Sequence, residues 1–174
     1  MRSTPEAKKQ QLIADLTEAR SEVLAAAMAL RHEQQDLPFL GTWSAHDIVA
    51  HLVGWDYANL AALEAIRAGR LPTFYDHYDR DWRTFNAGLV AQHKQKMLEE
   101  TVALAEESQQ TLLTALAALP AEDVSRDYGV RSPGRRRVTI AMLLGVEARD
   151  ERKHAGQVRE FAAQDDGSEP GTIP

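Results

Sequence analysis

The sequence of 174 residues contains no cysteine. This excludes disulfide bonds, thiolate zinc sites and a cysteine nucleophile, so any thiol chemistry would need a thiol from a second molecule. No run of about 18 apolar residues occurs, and we therefore expect no transmembrane helix and no membrane partner. The N-terminal residues also lack the apolar core of a signal peptide, and we expect a cytoplasmic protein.

The chain also lacks an excess of positive charge. Its net charge is −6, with 26% charged and 44% hydrophobic residues. An acidic balance disfavours a nucleic-acid surface, so we expect no nucleic-acid partner and instead a small-molecule substrate. No internal repeat and no convincing strand pattern is present, and the length is typical of one domain.

The hydrophobic periodicity predicts helices and little else. Apolar residues recur at helical spacing over four segments, residues 6–34, 44–69, 81–119 and 139–164. The third segment shows a possible break around residues 94–98. Four helices with apolar faces predict an all-α four-helix bundle, with residues 1–164 as one domain and 165–174 as a disordered tail.

The fourth predicted helix carries ionisable groups on its apolar face. At about 100° per residue, Glu147, Asp150 and His154 fall within the same arc of roughly 80° as the apolar residues of this helix. The sequence predicts that this face is buried, which is costly for unpaired charges. Either a metal ion or a hydrogen-bond network must therefore satisfy them.

His51 is the candidate partner for this group, by an argument from helix rise. It lies about 10 Å from the start of the second helix, and His154 lies about 12 Å from the end of the fourth, at 1.5 Å per residue. The two histidines share a level only if these helices are antiparallel. That requires an up-down-down-up bundle with a long crossover between helices 2 and 3. Residues 69–81 show no clear period and provide such a connection.

This topology predicts which residues surround the site. Candidates for a substrate pocket come from the crossover and the segment after it, and they are Tyr75, His77, Tyr78, Trp82 and Asn86. Arginines between helices 3 and 4, at positions 126, 131 and 135–137, would lie at the opposite end of the bundle. We therefore interpret them as a solvated loop and not as an anion clamp. On helix 2, His46 is expected to face solvent.

Two motifs resemble signatures of the DinB/YfiT-like superfamily. The segment Thr42-Trp43-Ser44-Ala45-His46-Asp47-Ile48-Val49-Ala50-His51 resembles that of the second helix, and Asp150-Glu151-Arg152-Lys153-His154-Ala155-Gly156-Gln157 resembles that of the fourth. Phe85-Asn86-Ala87 also fits. The resemblance implies an up-down-down-up bundle, often dimeric, with a divalent metal, commonly nickel or zinc, on three histidines. Relatives include thiol-dependent S-transferases, isomerases and self-protection proteins.

The resemblance implies metal ligands at His51, Asp150 and His154, with Asp150 standing where the family has histidine. Two histidines and a carboxylate remain a competent ligand set for zinc, nickel, iron or manganese. Alternatively, Asp150 pairs with a histidine in a metal-free site. If a metal is bound, Glu147, one turn earlier on the same face, would be an extra ligand or a residue that supports the ligands.

The sequence therefore supports two functions. The first is a metal-dependent enzyme of the DinB-like type, which would use His51 and His154 in catalysis and Tyr78, Trp82 and Asn86 to hold a low-molecular-weight thiol or the substrate. It would transfer the thiol to a small electrophile, or hydrolyse that electrophile. The second is a non-catalytic binding or self-protection protein on the same fold. A homodimer is expected in either case.

Overall fold

The computed structural model describes residues 3–77 and 81–166, with side chains to residue 164. Their helices are α1 (Pro5–Met28), α2 (Ala45–Arg67), α3 (Trp82–His93), α4 (Leu98–Ala118), α5 (Ala121–Ser125) and α6 (Ile140–Asp166). The described residues contain no strand. None of the described helices combines the length and the apolar character that crossing a membrane requires. Residues 167–174 of the predicted tail lie outside the described part.

The long helices form two parallel pairs. On α6, Arg152 contacts Glu18 of α1 at 3.3 Å, and further along both helices Arg159 contacts Glu22 at 3.4 Å, so α1 and α6 run in the same direction. In the other pair, His46 of α2 faces Thr101 of α4.

The two pairs run in opposite directions. Lys9, near the start of α1, donates to the carbonyl oxygen of Leu119 after the end of α4 at 2.9 Å, and Gln109 donates to that of Leu16 at 2.9 Å. The order is therefore up-down-down-up, and the predicted all-α four-helix bundle with its long crossover is confirmed.

The third predicted helix is two helices in the structure. α3 ends at His93, where Lys94 takes an extended conformation, and α4 begins at Leu98. The Nζ atom of Lys94 lies 2.8 Å from Asp36 and 2.9 Å from Asp47, which holds the break against the start of α2. Because of the break, α3 belongs to the crossover and packs on α2 instead of prolonging α4.

The core is divided by a buried polar layer. One apolar cluster surrounds Leu52 and a second surrounds Leu16 and Leu116. Between them lies Arg20, which is 2% exposed and binds both carboxylate oxygens of Asp56 and both of Glu151 at 2.8–3.0 Å. Such a group is stable in a core only when all its donors are satisfied. Ser108 and a carbonyl oxygen of α4 complete the layer.

Candidate metal centre

The buried face of α6 is rotated by about one residue from the predicted face. The residues with the least exposure are Ile140, Leu144, Ala148, Glu151, Ala155 and Val158. Glu147 and Asp150 instead lie at the edge of that face and line a cavity between α6, α2 and the crossover. The prediction that Asp150 is buried is therefore wrong, since 47% of its side chain is exposed. The reason is that α6 packs most extensively on α1, which the sequence does not indicate.

The structure brings together the three predicted ligands, His51, Asp150 and His154. Each offers one donor atom, and these atoms all lie within 4.8 Å of one another. The Nε2 atom of His154 is 3.4 Å from Oδ2 of Asp150, which is about the separation of two ligand atoms on a tetrahedral zinc ion. The rings of the two histidines are 5.8 Å apart and nearly perpendicular.

A hydrogen bond on the side of the ring away from Asp150 fixes the orientation of His154. Its Nδ1 atom is 2.8 Å from Oε1 of Gln157, an amide oxygen that can only accept a hydrogen bond. Nδ1 therefore carries the proton, and Nε2 turns its lone pair toward Asp150. Metal-binding histidines are commonly held in this way by an acceptor on the other nitrogen. When the ring is protonated, Nε2–H donates to Asp150, and this interaction lowers the pKa of Asp150 against the raising effect of burial.

Within the described part of the chain, His51 has a buried polar atom without a hydrogen-bond partner, which indicates that a ligand belongs at this position. Its Nδ1 atom is buried and has no hydrogen-bond partner among the described residues. Burial, together with the neighbouring His154, lowers the pKa of His51 to about 3, so the ring is neutral at physiological pH. The tilted ring of Trp43 lies 4.8 Å away, and Trp55 lies 6.2 Å away on another side. A neutral, unpaired imidazole beside a carboxylate and a second imidazole fits a divalent cation.

The cavity beside these residues has a volume of about 810 Å³, within the range of small-molecule sites. Of the predicted binding residues, Trp82 and Asn86 line it, and Tyr78 lies outside the described residues. Trp55 also lines it and donates a hydrogen bond from Nε1 to Oδ1 of Asn86 at 3.3 Å. His77 does not line it. It stacks on Phe85 at 4.7 Å.

The interpretation of the arginine loop as remote from the site is wrong. Arg136 and Arg137 line the same cavity as His51, together with Arg149 of α6. The loop does follow the far end of α4, as the topology requires. However, the cavity extends along α6 from Ala141 to Asp150, about 14 Å at 1.5 Å per residue. It therefore reaches from one end of the bundle to the candidate ligands.

Two further groups have surroundings that the sequence does not predict. Glu147 accepts a hydrogen bond from Asn59 at 3.1 Å, and burial, with the charges of Glu151 and Asp56, raises its pKa to about 8. No local pattern links these positions, which lie on different helices. His46 was expected in solvent but is 1% exposed, with Nε2 2.7 Å from Thr101. It faces α4, which the periodicity of α2 alone does not reveal.

Comparisons with known proteins agree with this architecture. The sequence profile of the DinB superfamily matches residues 15–158. Similar solved structures include the colibactin self-resistance protein ClbS, in complex with a dsDNA, at 16% identity, TM-score 0.69, covering 87% of this chain and 93% of that one. The Sibling Lethal Factor Precursor DfsB gives 15% identity, TM-score 0.73 and coverage of 90% and 96%. A search of curated proteins finds no match.

A third similar structure is YfiT from Bacillus subtilis, described as a probable metal-dependent hydrolase with an unusual four-helix bundle topology. It is 16% identical, with a TM-score of 0.67 over 94% of this chain and 90% of that one. At these identities the likeness establishes the fold and not the reaction.

The complex of ClbS contradicts the expectation of no nucleic-acid partner, because a protein of this fold has been solved with dsDNA. The expectation relied on the net charge of −6, which averages over the surface and conceals the arginine loop. The resemblance seen in the two helix motifs is confirmed. With 15–158 matched by the family profile, the chain belongs to the DinB superfamily.

Proposed function

We propose that this protein is a divalent-metal-dependent enzyme that acts on a small electrophilic molecule in the cavity. His51, Asp150 and His154 would hold the metal, with zinc or nickel suited to two imidazoles and a carboxylate. Two observations on His51 carry the proposal: its buried Nδ1 atom has no partner among the described residues, and one of its ring nitrogens lies within 4.8 Å of the donor atoms of Asp150 and His154. The fold likeness to a probable metal-dependent hydrolase supports it.

A bound divalent metal supplies Lewis acidity, which lowers the pKa of a thiol or water and polarises a carbonyl group. The chain's own residues supply the rest. Trp55 and Trp82 form an apolar wall that excludes water from one side of the substrate, and the amide of Asn86 is fixed by Trp55. Glu147, whose pKa is raised to about 8, holds a proton at neutral pH about one helical turn from Asp150.

Both thiol transfer and hydrolysis suit this arrangement. The chain has no cysteine, so in thiol transfer the nucleophile is a small thiol that enters the cavity. The two reactions are separated by incubating the zinc-loaded protein with an activated ester or epoxide, with and without a small thiol. Product that forms only with thiol identifies the transferase. Product that forms equally without it identifies the hydrolase.

The metal centre is tested by titrating zinc and nickel into chelator-treated protein. We expect one equivalent to bind, and His154→Ala to weaken binding by about 100-fold or more, because a ligand is lost. The matched control is His32→Ala, since His32 is exposed and belongs neither to the ligand cluster nor to the cavity lining, and the affinity of this variant for zinc should stay unchanged. Absence of stoichiometric binding by the unmodified protein would overturn the proposal, and so would full affinity in His154→Ala.

A second candidate is a protein that sequesters a reactive small molecule without turnover. The half-exposed Asp150 at a position where the family has histidine favours it, and ClbS, which shares the fold, is a self-resistance protein. Stoichiometric protection of a target by the chelator-treated protein, with no product formed, would establish this function in place of catalysis.

Duplex DNA is also a partner to test, because ClbS was solved with it and because Arg135 and Arg136 are exposed. Binding measured by fluorescence anisotropy on a labelled duplex should fall steeply with salt concentration if these arginines contact phosphates.

A further inference from the structure

The loop between α5 and α6 is a short, tightly built hairpin. The backbone N–H of Val138 donates to the carbonyl oxygen of Val130 at 3.0 Å, and both valines are buried. At its tip the N–H of Ser132 donates to the carbonyl oxygen of Arg136 at 2.9 Å. Arg135 has a φ of 59°, a left-handed conformation that costs a residue with a Cβ atom about 1 kcal/mol or more. The hairpin is therefore anchored, and its arginines have a defined place.

One arginine of the hairpin and one of α6 face the cavity without a carboxylate partner among the described residues. Arg126 and Arg131 are paired with Asp123 and Asp127 on the outer side of the hairpin. In contrast, Arg136 and Arg149 form no ion pair with any residue in the described part of the chain, and both line the cavity. Arginines left unpaired beside a cavity hold their donors ready for an anion.

The acidic groups in the cavity do not cancel this charge. Glu147 is protonated at neutral pH, and Asp150 is committed to His154 and to the proposed metal. The cavity therefore carries an excess of positive charge on its α6 and hairpin side, even though the whole chain has a net charge of −6. An anion is accordingly favoured there.

The opposite wall of the cavity is aromatic. Trp55 packs edge-on against Phe74 at 5.2 Å and lies 5.8 Å from Trp82, and Tyr75 continues this surface beside Phe74. All four rings line the cavity. A surface of this kind binds a flat apolar or aromatic body, since aromatic contacts favour large apolar areas.

We infer that the cavity selects an amphipathic organic anion, whose aromatic or apolar body packs on Trp55 and Trp82 and whose carboxylate, sulfonate or phosphate binds Arg136, Arg137 and Arg149. This assignment rests on the proposed function in taking the cavity as the substrate site. A ligand that reaches from the hairpin to Asp150 spans on the order of 14 Å along α6. The Nη1 atom of Arg149 lies 3.6 Å from the position of a Cβ atom at Gly145, so its guanidinium points back along α6 toward the hairpin. The anion thus lies on the hairpin side of Asp150 and orients the ligand.

The test uses two dyes that differ by one anionic group. 8-Anilinonaphthalene-1-sulfonate carries a sulfonate, and N-phenyl-1-naphthylamine is the same ring system without it. Binding is followed by dye fluorescence excited through energy transfer from tryptophan, which reports dye close to Trp55 and Trp82. The double variant Arg136→Gln/Arg137→Gln should lose about tenfold in affinity for the sulfonate dye. Its affinity for the neutral dye should change by less than about twofold.

Arg135→Gln is the matched control, because Arg135 lies in the same hairpin and is exposed but does not line the cavity. It removes one positive charge from the same hairpin, against two in the double variant, and it should change the affinity for the sulfonate dye by less than about twofold. Circular dichroism and thermal unfolding verify that each variant is folded. Trp82→Ala should weaken both dyes, which confirms that they occupy this cavity.

Several outcomes would overturn the inference. They are failure of the unmodified protein to bind the sulfonate dye, equal losses for both dyes in the double variant, and a loss in Arg135→Gln as large as that in the double variant. A double variant that loses binding to a labelled DNA duplex but keeps its affinity for the sulfonate dye would assign the arginines to nucleic acid instead. Zinc titration of the same proteins reports separately on the proposed function, since it depends on His51, Asp150 and His154 and not on the arginines.

Discussion

Replacing Glu147 by glutamine should stabilise the protein at alkaline pH and leave it nearly unchanged at acidic pH. Glu147 accepts a hydrogen bond from Asn59 and lies close to the carboxylates of Asp56 and Glu151. The layer contains one cation, Arg20, between two acidic partners. A third negative charge would be poorly compensated, which is why burial and these neighbours raise the pKa of Glu147. A glutamine keeps the acceptor oxygen for Asn59 and never acquires the charge.

The size of this stabilisation follows from the difference between the pKa of Glu147 in the folded protein and its pKa in the unfolded chain. Glu147 has a pKa of about 8 in the folded protein against an ordinary value of 4.5. At about 1.4 kcal/mol per pH unit, the full difference is about 5 kcal/mol. Because Glu147 lines the cavity and is only half-buried, we expect water to screen part of it and take about 2–3 kcal/mol.

The dependence of stability on pH has the sign expected for a carboxyl group whose pKa is raised by folding. Between pH 4.5 and pH 8 the folded protein holds a proton that the unfolded chain has released. Stability from this group is complete below the lower value and is lost as the pH rises through the upper one. Glu147→Gln removes this loss, so its advantage over the unmodified protein should grow as the pH rises above about 4.5 and reach its full value of about 2–3 kcal/mol near pH 9.

The assay is urea unfolding of both proteins at about pH 5, 7 and 9 in the presence of a chelator, which keeps metal binding out of the comparison. Glu106→Gln, an exposed carboxylate on α4, is the control and should differ from the unmodified protein by less than about 0.5 kcal/mol at every pH. A difference for Glu147→Gln that is the same at pH 5 and pH 9 would refute the reasoning. Greater stability of the unmodified protein at pH 9 would refute it equally.

Three further substitutions test the packing and the candidate metal centre, and two of them have a matched control. Arg20→Met leaves two buried carboxylates unpaired and should cost about 3–5 kcal/mol of unfolding free energy by urea titration, whereas Arg152→Gln removes only part-exposed ion pairs and should cost less than about 1 kcal/mol. Gly54→Ala places a Cβ atom 2.6 Å from that of a leucine on α3 and should lower the stability by about 1–3 kcal/mol in thermal unfolding. Gly88→Ala meets open space and should be neutral or slightly stabilising. Gln157→Leu removes the acceptor that orients His154 and should weaken zinc binding about 10–100-fold by isothermal titration.

The sequence predicts the parts of this molecule that depend on distance along a helix. His51 and His154 were matched because the rise per residue is constant, and the same arithmetic required the antiparallel arrangement of α2 and α6 that the structure has. The sequence determines the rotation of a helix about its axis less well, because a helix in a bundle packs on two neighbours. The apolar stripe can be centred on the contact with either neighbour. The error for α6 was about 70°, which at about 100° per residue is somewhat less than one residue. It was enough to exchange Glu151, which is 0% exposed, for Asp150.

Features that depend on the meeting of distant segments could not be predicted. In the sequence, nothing distinguishes Arg20, Asp56 and Glu151 from the other charged residues of their three helices. They form a buried layer only because the folded chain brings them together. The hairpin arginines were placed correctly by topology at the far end of the bundle. Their relation to the site was wrong because the cavity was treated as a point near His51, whereas it follows α6 as far as Ala141.

The buried layer also bears on the candidate metal centre. Asp56 follows His51 by five residues on α2, and Glu151 precedes His154 by three on α6. Arg20 binds both carboxylates at 2.8–3.0 Å, so it ties the two helices together within about one and a half turns of the histidines. An apolar layer of equal volume would be no less stable on general grounds, but it would let the helices slide. The ion-paired layer therefore accounts for the alignment of His51 with Asp150 and His154, which are brought within 4.8 Å without any direct bond between α2 and α6 at that level.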